Sequence, residues 1–169
     1  MNTEKYIDKL IQRLDDGNSV DFKKEIILLC ENAFDEGNYL EPTQIDYNKR
    51  MVFETEIWQI GELIRKKFLK RKAAISSPLF FDTISEIIQT KKYRSGRQSF
   101  VLLFGDFKLF EKSDFLATFL SDEYVYGHVI ISLLKLKNFK YCKEVKDILE
   151  QEATGWIKQK GKKYLENCT

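Results

Sequence analysis

The three segments EIIQTKKYRSGRQSFVLLF (86–104), TFLSDEYVYGHVIISLLKL (118–136) and DILEQEATGWIKQKGKKYL (147–165) carry one pattern in common. Each opens near an apolar doublet: Ile87-Ile88, Phe119-Leu120 and Ile148-Leu149. A short polar break follows, with a glycine (Gly96, Gly127, Gly155) six to eight residues after the doublet. A second apolar segment comes next: Phe100 to Phe104, Val129 to Leu136, Trp156 to Leu165. The doublets lie 32 and 29 residues apart, a period that suits a stacked pair-of-helices repeat.

Upstream of these segments, Ser77-Pro78 marks a helix start, with Ser77 as cap and Pro78 at the first helical position. Before it, Tyr47 to about Arg71 is the longest helical pattern, and Phe53, Ile57, Ile60, Ile64 and Phe68 form its apolar stripe. Thr3 to Leu14 reads as a helix with Tyr6, Leu10, Ile11 and Leu14 on one face. Asp21 to Glu36 reads as a second, carrying Phe22, Ile26, Leu29, Cys30 and Ala33. Asn38 to Asn48, with Pro42 and no periodicity, reads as the longest loop. Phe100 to Phe104 is apolar enough for a buried strand, but no alternating partner or hairpin turn accompanies it. All-α is the fold class. One domain over 1–169 is expected, divided into an N-terminal helical hairpin (1–37) and stacked helix pairs (47–166).

Composition excludes several classes. Hydrophobic residues at 43 % and charged residues at 32 % describe a folded chain rather than a disordered one. A net charge of +2, from 28 basic and 26 acidic residues, provides no general field for nucleic acid or an anionic membrane. Cys30, Cys142 and Cys168 are odd in number and widely spaced, which argues against a disulfide framework and for a reducing, cytoplasmic setting. Met1 to Asp8 has no apolar core of a signal peptide, and no apolar run is long enough to span a bilayer.

Asn138-Phe139-Lys140-Tyr141 leading to Ile148-Leu149, then Gly155-Trp156-Ile157 leading to Tyr164-Leu165, resembles a HEAT-like or armadillo-like α-solenoid repeat. The resemblance implies a short right-handed stack of antiparallel helix pairs; an irregular helical bundle is the alternative. The turn proline and Asp-Arg ladder usual in that family are absent. In a stack of this kind no pair buries its apolar face alone, so neighbours must cover it and the end pairs need polar outer faces. Lys158, Lys160, Lys162 and Lys163 suit the last helix to that role.

Motifs for chemistry are few. The lone histidine, His128, would have to serve any Ser-His or Cys-His arrangement, and no G-x-S-x-G elbow supplies a nucleophile. One histidine and scattered cysteines give too few local ligands for a closed zinc site, and neither phosphate-binding glycine motif occurs. No cofactor, metal or catalytic residue is therefore assigned, and the chain reads as non-enzymatic. An enzyme with an unusual carboxylate site ranks last.

On the long helix, Glu54, Trp58, Glu62 and Arg65 fall at i, i+4, i+8 and i+11 beside the apolar stripe, with Gly61 as a place for close approach. In a solenoid, Arg97, Tyr124, His128 and Lys158 would join them on a concave face, and Trp, Tyr and Arg are frequent interface anchors. A core position for Trp58 is the competing reading. The expected function is a helical-repeat module that binds one protein partner. Resemblance to HEAT-like bacterial immunity proteins implies a cognate toxin as that partner. The alternative is a nucleic-acid-binding module using two basic runs, Arg65-Lys66-Lys67 with Lys70-Arg71-Lys72 and Lys158 to Lys163; cations near helix C-termini also have a purely dipolar explanation.

Overall fold

A computed structural model describes residues 3–16, 19–37, 47–69, 78–151 and 155–168. Among them the chain is all-helical, without strands. In order come α1 (Thr3–Asp15), α2 (Ser19–Gly37), α3 (Tyr47–Phe68), α4 (Pro78–Gln89) and α5 (Gln98–Asp106). Next are α6 (Ser113–Ala117), α7 (Tyr126–Lys135), α8 (Cys142–Gln151) and α9 (Gly155–Leu165). Packing divides the chain into two compact units, Met1–Phe100 and Val101–Thr169, and the division falls inside α5. The loop expected over 38–48 and the cap expected at Ser77 lie outside the described residues, apart from Tyr47 and Asn48, which belong to α3. Phe100 to Phe104, apolar enough for a strand, is helical.

The first unit is built around α3. Its stripe of Phe53, Ile57, Ile60, Ile64 and Phe68 is buried, as the period of the pattern requires. Phe68 stacks on Phe80 of α4 with ring centroids 4.4 Å apart, and Phe22 of α2 meets both rings. Helices α1 and α2 both pack on α3 and share its core. Ion pairs fasten the rim: Lys67 reaches Glu4 (3.1 Å) and Asp8 (2.9 Å) of α1, and Lys23 reaches Glu86 (2.7 Å).

Between α4 and α5 the chain makes a tight 3-10 segment over Lys91–Arg97, with Arg94 at φ 44° and ψ −127°. A side chain there is strained, and neighbouring contacts must hold it. Lys92 and the Tyr93 hydroxyl both bond Glu31, and the Ser95 hydroxyl donates to Glu54. Gly96 lies where a Cβ would stand 2.8 Å from Ile57 Cβ and 3.1 Å from the Glu54 carbonyl oxygen. It is a close-approach glycine rather than a simple break.

In the second unit, Phe104 stacks on Phe115, and Phe115 meets Phe119 edge-on. The Ser132 hydroxyl donates to the Val101 carbonyl (3.0 Å), joining α7 to α5. Helices α5 and α7 both end on left-handed lysines, Lys108 (φ 55°) and Lys137 (φ 53°). After each, an amide reaches back five residues, Leu109 N–H to the Phe104 carbonyl and Asn138 N–H to that of Leu133. This is the cap geometry that glycine usually serves.

Helices α8 and α9 pair: Leu149 packs over Gly161, where a Cβ would lie 2.6 Å from Leu149 Cδ2 and make the leucine side chain shift. Tyr164 is buried and donates its hydroxyl to the Asn138 carbonyl (2.6 Å).

The three apolar doublets take unlike places. Ile87-Ile88 is buried at the end of α4, Phe119-Leu120 sits in a turn after the five-residue α6, and Ile148-Leu149 is half-buried on α8.

The cysteines correct an expectation. Cys142, at the start of α8, and Cys168, just past α9, form a disulfide with Cα atoms 6.0 Å apart. The antiparallel pair of helices brings together residues that are distant in sequence. Cys30 is the free thiol, fully buried, and burial pushes its pKa up.

Candidate functional site

Of the eight candidate residues, Glu54, Trp58, Glu62, Arg65 and Arg97 belong to the first unit and Tyr124, His128 and Lys158 to the second. Glu54, Trp58, Glu62 and Arg65 share one flank of α3. There Trp58 is 38 % exposed, so its ring is partly covered and partly open to solvent. The Arg65 guanidinium pairs with Glu62 one turn back, and Glu54 accepts the Ser95 hydroxyl. Glu54, Thr55, Trp58, Ser95 and Gln98 border a shallow recess of about 190 Å³. Leu69, 50 % exposed, continues the same flank 11 residues beyond Trp58. Gly61, on the neighbouring side, faces Ser99 and Phe100, which fits its expected role in close packing.

Arg97 is placed differently. It is fully buried in the first unit, donating from Nη1 to the Ile88 carbonyl (2.9 Å) and from Nε to the Arg94 carbonyl (3.0 Å). Its guanidinium thus serves the C-terminus of α4, where a cation also meets the negative end of the helix dipole. A surface role for Arg97 is replaced by an internal one.

In the second unit, the Tyr124 amide donates to the Asp122 carboxylate (3.1 Å). His128 lies half-buried against the edge of Trp156, ring centroids 5.2 Å apart, and burial lowers its pKa to about 4. It is therefore neutral at pH 7. Lys158 is exposed, but it stands two residues from Trp156 on α9, about 200° around the helix axis. It points away from the side of α9 that meets His128.

Lys67 is engaged by Glu4 and Asp8, whose hydrogen bonds raise its pKa, while Lys158, Lys162 and Lys163 are exposed on α9. Residues 70–72 lie outside the described residues. Among the described residues no cluster of histidine, cysteine and carboxylate side chains could hold a metal ion, and no helix is long and apolar enough to cross a membrane.

The second unit carries a further surface feature. Helix α8 carries Glu144, Asp147, Ile148 and Gln151 at i, i+3, i+4 and i+7, one stripe along the helix. This stripe and the Ala117–Tyr126 segment enclose a groove of about 540 Å³. The signal was present in the sequence, since Ile148 stands in an apolar doublet. Periodicity alone could not show that Leu149 packs on Gly161 while Ile148 faces the groove.

Searched against known proteins, the chain matches no protein-family model, no curated protein and no solved structure.

Proposed function

We propose that this is a non-enzymatic helical protein that binds another protein along the flank of α3. The observation that carries the reading is the half-exposed Trp58 ring, set between the fixed Glu62–Arg65 pair and the Ser95-bonded Glu54, with exposed Leu69 further along. Trp58 and Leu69 are about 16 Å apart along the axis, three turns of helix, which suits a partner helix or strand lying lengthwise. A tryptophan can bury a large area in a partner with little loss of rotamer freedom. A guanidinium already held by Glu62 loses less freedom when it meets a carboxylate across the interface. A toxin is one instance of such a partner, and a reading frame encoded beside this one is the place to look for it. Of the two helical arrangements expected, the unlike places of the three doublets favour the irregular bundle over a regular stack.

The test is capture from the cell that makes the protein, with nuclease present, followed by affinity measurement on the purified partner. Trp58→Ala and Arg65→Ala should each weaken binding at least tenfold, about 1.4 kcal/mol, while keeping a cooperative melt. Normal binding by both folded variants, or loss of the melt in Trp58→Ala, removes α3 as the site. The second reading, nucleic-acid contact, is favoured by the exposed Lys158, Lys162 and Lys163 on α9. It requires a nuclease-sensitive capture and an affinity that falls steeply with salt.

A further inference from the structure

The groove of the second unit has a floor and a rim of different chemistry. Ala117 and Leu120 are buried in its floor, and half-buried Ile148 and Tyr126 extend the apolar surface. Glu123 stands on one wall, with Glu144 and Asp147 on the other, all exposed. None of the three carboxylates has a hydrogen-bond or ion-pair partner among the described residues. Lys146 pairs with Glu150 (3.9 Å) on another face of α8, Lys143 is exposed outside the groove lining, and among the described residues no basic residue lines the groove.

The α8 wall is also held in place before anything binds. Its opposite face is closed on α9 by Leu149 over Gly161 and by the Cys142–Cys168 disulfide. A rigid wall leaves less to be ordered on binding. Along it the stripe from Glu144 to Gln151 runs about 10 Å, two helical turns.

We propose that this groove is a docking site for a cationic amphipathic helix of another protein, its apolar face seated on Leu120 and Ile148 and its lysines or arginines facing Glu123, Glu144 and Asp147. Charge complementarity selects this occupant. An acidic helix would set like charges against three unpaired carboxylates, whereas a basic one neutralises them beside an apolar floor that strengthens the attraction. Helix-in-groove recognition needs apolar anchors at i, i+3, i+4 and i+7, and a two-turn groove accommodates that set. The site is distinct from the α3 flank, which lies in the other unit.

The test uses the full chain and a fluorescein-labelled peptide of about 14 residues, leucines at i, i+3, i+4 and i+7 and lysines beside them, read by fluorescence anisotropy. The peptide should bind, and raising the salt from about 50 to 500 mM should weaken it. Glu144→Gln with Asp147→Asn, both at exposed positions, should lower affinity at least tenfold, and Ser121→Trp at the groove edge should do the same by filling it. All variants should melt as the parent does, and Trp58→Ala should bind the peptide normally, which separates this site from α3. No binding at about 1 mM peptide overturns the proposal. So does equal binding by the double variant, by a glutamate version of the peptide, or by one with leucines changed to serine. A concentration-dependent dimer that Ser121→Trp abolishes also overturns it, by giving the groove to a second copy of this chain.

Discussion

Breaking the Cys142–Cys168 disulfide should measurably loosen the C-terminal helix pair. The bond closes a loop of 26 residues between the start of α8 and the end of α9. In the chain-entropy treatment, a loop of that length raises stability by about 3.5 kcal/mol, by restricting the unfolded chain. Domains are typically stable by only about 5–15 kcal/mol, so its loss should be plain in any unfolding curve. Cys168→Ser, compared with the parent in urea without reductant, should lower the midpoint by about 1.5–2 M if the slope is near 2 kcal/mol/M. Reductant should lower the parent by a similar amount and leave the variant unchanged.

Thiol counting checks the pairing independently. Folded protein without reductant should take up no iodoacetamide, because Cys30 is buried and the other two sulfurs are bonded. Unfolded without reductant, it should take up one equivalent, at Cys30; unfolded with reductant, three. Three equivalents without reductant would refute the pairing, and an unchanged midpoint in Cys168→Ser would refute its stabilising role.

Packing and charge set the remaining expectations. Gly96→Ala should cost about 1–3 kcal/mol, because its Cβ would meet Ile57 Cβ and a backbone oxygen; Gly155→Ala, with nothing within 4 Å, should be neutral or slightly stabilising, and urea melts of the two variants compare them. Arg97→Met should cost about 1–3 kcal/mol in the same assay by leaving the Ile88 carbonyl without its donor, and a neutral result would contradict the internal guanidinium. His128 has a folded pKa of about 4 against an ordinary 6.5, so the unfolded chain binds more protons between those values. Its contribution is full above pH 6.5 and falls away toward pH 4, by no more than about 3.5 kcal/mol. Urea melts at pH 7.5, 6 and 5 should show His128→Gln losing less stability on acidification than the parent.

Helices whose signals are local were legible in the amino-acid sequence. The 4-3-4-4 spacing of Phe53, Ile57, Ile60, Ile64 and Phe68 required α3 and named its buried side, because side chains three and four apart share one face of a helix. Pro78 marked the start of α4 for an equally local reason, a fixed φ and a missing donor. The same helix geometry put Glu54, Trp58, Glu62 and Arg65 together on one flank. It could not reach further, since Arg97, Tyr124, His128 and Lys158 were joined to that flank only by an assumed stacking of helices.

Everything else depends on which residues meet across the chain, and no local pattern records that. Arg97 looks like a surface cation in sequence, yet it is internal because the Ile88 carbonyl at the end of α4 lies within its reach. Lys108 and Lys137 end α5 and α7 in a conformation for which sequence expects glycine, so those boundaries carried no local mark. Cys142 and Cys168 look unrelated until α8 and α9 fold back on each other. Ile148 and Leu149 are equivalent as letters; the close approach of Gly161 assigns Leu149 to the interior of the pair and leaves Ile148 facing the groove.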